Sequence, residues 1–162
     1  MRWMFLVAAA VCASWSARPA SAAGSTPGDL ARTMLVAFQC GQYAGFAKMR
    51  AEQNSLYSHG VDTGRKFIKA VRDGKLTEQD AREKVPMIVG WMVRDGGPSD
   101  DFMLGRIFEA IASDASDDII KRDASGMLLA PERWVTDSGL QQSLARTKYD
   151  KANCWAVVGT GK

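Results

Sequence analysis

Two cysteines, Cys40 and Cys154, constrain this chain more than any other feature. They are the thiols that remain once an N-terminal leader carrying the third, Cys12, is set aside. The leader reads as a secretory signal: Arg2 supplies a positive start, residues 3–13 form an uncharged apolar run, and Ala20, Ser21 and Ala22 offer the small side chains a peptidase cuts after. That run is too short to span a bilayer, which takes about 20 apolar residues, and no later segment comes close. A lipid anchor on Cys12 is disfavoured by the branched Val11 before it and by the alanine-rich cleavage site downstream. An exported chain meets an oxidising compartment, where two remaining thiols pair in the one intramolecular way open to them. The bond would close a loop of 114 residues, worth about 4–5 kcal/mol in the chain-entropy model. A reactive thiol would need a nearby base or a second thiol at short spacing, and neither cysteine has one in sequence.

Cleavage after Ala22 leaves about 140 residues, the size of one domain with a real core. The expected organisation is a signal peptide over 1–22, a loose lead-in over 23–28, a helical domain over 29–158 and a short tail over 159–162. The whole sequence carries a formal charge of +3, but Arg2 and Arg18 leave with the leader, and the rest is close to neutral. No cluster of Lys and Arg supplies the electrostatic footprint of a nucleic-acid binder.

Periodicity points to helices throughout. From Asp29, read as an N-cap, one face carries Met34, Phe38, Gly41, Gly45 and Met49 and another Val36, Cys40, Tyr43 and Ala47, the pattern of a central helix. Gly41 and Gly45 lie one turn apart and invite close approach by a neighbour. A second helix over 55–73 presents Tyr57, Val61, Gly64, Ile68 and Val71 and stops at Asp73 and Gly74. Thr77 and Asp80 open a third stretch, with Ala81, Val85, Ile88 and Met92 inward and Pro86 forcing a kink or a fresh start. Ser99 caps a fourth helix, with Asp100 and Asp101 complementing its dipole and a stripe of Leu104, Ile107, Phe108, Ile111, Ala115 and Ile119. Residues 123–131 form the longest irregular connection. Pro131 then starts a short helix carrying Trp134, and Asp137 caps a last one carrying Leu140 and Leu144. No hairpin signal and no 20- to 50-residue repeat is evident. The sequence therefore predicts an all-α, single compact domain of five to six helices with one long-range disulfide.

Chemistry is harder to find. Ser55, His59 and Asp62 share one side of the second helix, yet three residues on one straight rod do not present a nucleophile beside an oxyanion site. One histidine and two oxidised cysteines do not make a zinc site, and the acids at 114, 117 and 118 lack the spacing and central glycine of a calcium loop. No metal or cofactor is expected. Paired carboxylates would suit an envelope glycan hydrolase, but what makes one a general acid is an apolar pocket, and Glu109 reads as a boundary residue beside the stripe.

The most distinctive segment runs from 91 to 106, where two helix ends meet around Gly96, Gly97 and Pro98. Trp91, Arg94, Asp100, Asp101, Phe102 and Arg106 are the candidate partner-binding residues there, the aromatics as anchors; the competing role for those aromatics is core. Trp134 and Trp155 are expected to cover the core. The functional expectation is a periplasmic or secreted helical protein that binds another envelope or secreted protein, as an inhibitor, an immunity-type neutraliser or an accessory protein. The alternatives are the carboxylate hydrolase and a periplasmic stress chaperone.

Overall fold

The computed structural model describes residues 25–159. The expected signal peptide and most of the C-terminal tail lie outside the described residues. Within them the chain forms six α-helices and two single 3-10 turns: α1 (Pro27–Phe46), α2 (Arg50–Arg72), α3 (Glu78–Glu83), α4 (Met87–Asp95), α5 (Asp100–Ile120) and α6 (Ser138–Lys151), with the turns at Pro131–Arg133 and Cys154–Ala156. The all-α, disulfide-closed domain is therefore the architecture of this chain.

Helix α1 starts earlier than its periodicity indicates. Thr26 is the N-cap, Pro27 fills the first turn, and Asp29 serves as the reciprocal partner of a capping box, its carboxylate accepting from the Thr26 amide at 3.1 Å. The helix stops at Phe46 because Lys48 turns left-handed, at φ 62°. The Met49 amide then donates to the Ala44 carbonyl at 2.8 Å and the Lys48 amide to that of Gly45 at 3.1 Å, a Schellman ending with lysine where glycine is usual. Helix α2 follows at once, five residues before its expected start.

The α1–α2 hairpin is the backbone of the fold. Gly41 faces the Tyr57 ring and Gly45 the Gln53 amide, while Gly60 and Gly64 of α2 receive Phe38 and Met34 in return. Small residues on both rods bring the axes close, as Gly41 and Gly45 foretold. The buried face of α2 is centred on Leu56, Gly60, Thr63 and Phe67; the expected stripe forms one shoulder of it.

Helix α5 lies along both members of that hairpin and runs unbroken through Ser113 and Asp114. Its first half joins Met34, Phe38, Phe67 and Val89 in one apolar cluster. Its second half, through Ala115 and Ile119, joins Tyr43, Leu56, Ala145, Tyr149 and both cysteines in another. Phe108 meets Phe38 and Tyr57 edge-on, each at 5.2 Å between ring centres. Cys40 and Cys154 are bonded and fully buried, with Cα atoms 5.5 Å apart, inside the range such bridges need.

The third helical stretch divides at Pro86 into α3 and α4; Val85 and Met92 pack against the core as expected, the fully buried position is Val89, and Ile88 and Ala81 are exposed. The break falls at Pro86 because a proline lacks the N–H that would carry the earlier helix through, yet Val85, Val89 and Met92 keep the spacing i, i+4 and i+7 across it. On α6 the buried residues are Ala145 and Tyr149, with Leu140 exposed and Leu144 at the margin. The connection after α5 is an ordered loop. Arg122 and Leu128 form an isolated antiparallel bridge, and the Asp123 carboxylate accepts from the Ser125 and Met127 amides at 2.8 and 3.1 Å.

Candidate functional site

Helix α4 is short and buries one side chain, Val89. That leaves Met87, Ile88 and Trp91, spaced i, i+1 and i+4, on one outward face. Trp91 is 51% exposed and Phe102, across the turn, 49%. Phe102 leans over Gly97, where a β-carbon would meet its ring at 2.8 Å, so the turn holds the aromatic at the surface. Ile88 also lines a groove of 310 Å³ with Leu35 and Gln39 of α1 and Ala110, Ile111 and Asp114 of α5. The apolar face of α4 thus continues into a recess.

The charged candidates divide. Asp100 pairs with Arg72 at 2.6 Å and Asp101 with Arg65 at 3.0 Å, both reaching back to α2. The second contact holds the Arg65 guanidinium above its ordinary pKa. These two acids therefore fasten the start of α5 as well as sitting in the surface segment. Arg94 and Arg106 are exposed and form no ion pair among the described residues.

A second apolar projection escaped sequence reading. The loop closed by Asp123 presents Met127 and Leu128, 69% and 72% exposed, at its tip. Nearby, the Trp134 indole donates to the Leu129 carbonyl at 3.2 Å while the Lys121 ammonium sits 5.1 Å from its ring centre. Trp134 and Trp155 both remain well exposed, in contrast to the core-covering role expected of them.

The acids at the end of α5 are spoken for. Asp114 pairs with Arg122 at 2.8 Å, Asp117 with Lys121 at 2.7 Å, and Asp118 with Lys148 at 2.6 Å. Asp118 also accepts from the buried Tyr43 hydroxyl at 3.0 Å, and that hydroxyl accepts from Gln39. Burial, and then the charge of Asp118, push the Tyr43 phenol up from its ordinary pKa. This hub links α1, α5 and α6 as a structural joint. Among the described residues no three potential metal ligands converge. Ser55, His59 and Asp62 make no hydrogen bond to one another, and Glu109 is exposed.

At the opposite end from α4, a groove of 760 Å³ opens between the first turns of α2, the last turns of α6 and the turn that follows Cys154. Two carboxylates, Glu52 and Asp150, line it. Asp150 is 57% exposed and paired with Arg146 at 3.3 Å, surroundings opposite to the apolar pocket a general acid requires.

Among the described residues no helix is long and apolar enough to cross a membrane. No known family model, curated protein or solved structure matches this chain.

Proposed function

We propose that this is an exported helical protein, periplasmic or secreted, that works by binding another envelope or secreted protein through the outward face of α4 and the turn into α5. The observation that carries the reading is the row Met87, Ile88 and Trp91, apolar, exposed and on one face of a helix. Isolated surface hydrophobes are ordinary, whereas an aromatic anchor flanked by aliphatic neighbours, beside an apolar recess and with the exposed Arg94 one turn along the same helix, has the anatomy of a contact surface. The partner that fits it offers an apolar depression with an acidic rim. Nucleic acid does not fit: the surface lacks the clustered cations that phosphate backbones demand.

A photo-crosslinking amino acid at position 87, in the chain expressed in its own envelope, is expected to trap one discrete protein, and the same group at Lys66 on α2 to trap none. The isolated protein should begin at Ala23. Trp91→Ala is expected to abolish capture while moving stability by no more than about 0.5 kcal/mol, as for other exposed substitutions. Capture that survives Trp91→Ala, or a mature chain retaining residues 1–22, would overturn the proposal.

A further inference from the structure

The groove at the far end of the bundle has a lining that restricts its occupant. Its walls are Met49, Ala51, Glu52 and Ser55 from the start of α2, Arg146, Tyr149 and Asp150 from the end of α6, and Trp155. A volume of 760 Å³ is that of a small-molecule site. The walls are fixed: Cys154, adjoining Trp155, is bonded to α1, and Arg146 reaches Met49 Sδ at 3.1 Å from across the groove. The polar groups gather there as well: Arg146 pairs with Asp150 at 3.3 Å, and Glu52, Ser55 and Tyr149 line the same groove.

From this lining we infer that the groove binds a neutral, hydroxyl-rich ligand, a saccharide of two or more rings. Three exclusions lead there. An anion would face Glu52 and Asp150 together. A cation would find Asp150 already paired with Arg146 and a guanidinium beside the one carboxylate left. A purely apolar molecule would strip water from all three charged groups and return no hydrogen bond. A sugar meets each demand: its vicinal hydroxyls donate to the Glu52 and Asp150 carboxylates and accept from Arg146, Ser55 and Tyr149 supply groups that do either, and its C–H face covers apolar surface on Trp155, which is 46% exposed, and on Met49. The reading is independent of the α4 surface, and no bond is made or broken.

The test uses the oxidised mature chain and follows the Trp155 indole N–H by NMR. The free neutral probes are chitotetraose and maltotetraose, the neutral polymeric probe is insoluble chitin in a co-sedimentation assay, and the charged controls are the chitosan tetramer and tetragalacturonate. A neutral tetraose is expected to shift the Trp155 signal saturably, with Glu52→Gln and Trp155→Ala each weakening binding at least tenfold. Co-sedimentation lost in Glu52→Gln, without a tetraose response, would also support the site and identify the polymer as its source. The Glu52 side chain forms no hydrogen bond or ion pair among the described residues, so its amide variant keeps the test valid if Trp155→Ala does not fold. Shifts caused only by a charged control, unaltered binding in Glu52→Gln, or no binding by any neutral probe would overturn the inference.

Discussion

At the level of single residues, the hairpin depends on side chains that are missing. Gly60 faces the fully buried Phe38 ring, where a β-carbon would sit 2.5 Å from a ring carbon that has nowhere to go. Gly60→Ala should therefore lower stability by about 1–3 kcal/mol, the usual cost of overpacking, measurable by urea unfolding; Gly105→Ala, with open space around it, is the control. The tyrosines give a pH prediction. Tyr43, Tyr57 and Tyr149 all have phenols raised from the ordinary value of 10.0, each mainly by burial. Above about pH 10 the unfolded chain sheds these protons while the folded one keeps them, so the folded state binds more protons and unfolding free energy falls as pH rises. Chemical denaturation between pH 8 and pH 11 should show that decline, and a flat profile would refute it. Gly41 and Gly45 were legible as contact points because their one-turn spacing is visible in a string of letters. Tyr43's link to Asp118 was not, since 75 residues separate the partners and only the packed helices bring them together.

At the level of elements, legibility follows the strength of local signals. Thr77, Ser99 and Asp137 each cap a helix through a side-chain oxygen, as their sequence positions indicate, and Gly74 ends α2 in the left-handed conformation expected of glycine. The α1–α2 turn carried no such mark. Lys48 occupies a left-handed site that costs a non-glycine residue about 1 kcal/mol or more, so nothing in the letters separated one helix from the next. Lys48→Gly is accordingly expected to raise the thermal midpoint modestly, and Lys48→Val to lower it. The exposed α4 face was misassigned by one position for a related reason: the residues three and four beyond Val85 are both apolar, and only the packed helices show that Val89, not Ile88, turns inward. Trp91, by contrast, was already a candidate and stands at the surface, while the Met127 and Leu128 tip was hidden in a stretch with no periodicity at all.

For the molecule as a whole, the two apolar clusters share α1, α2 and α5 and are closed at one end by the bond between Cys40 and Cys154. That bridge was legible because two cysteines admit a single pairing, whereas the grooves at either end of the bundle were not, each being assembled from three segments far apart in the chain. Cys154→Ala should lower stability by up to about 4–5 kcal/mol, read as a fall in the thermal midpoint that reducing agent reproduces in the parent chain. The same bridge has a topological corollary. Residues 40–154 form a covalent ring, so a protease that nicks the exposed 123–130 loop opens the circle without liberating a piece. On a denaturing gel the clipped protein should migrate as one band until a thiol is added, and then as two.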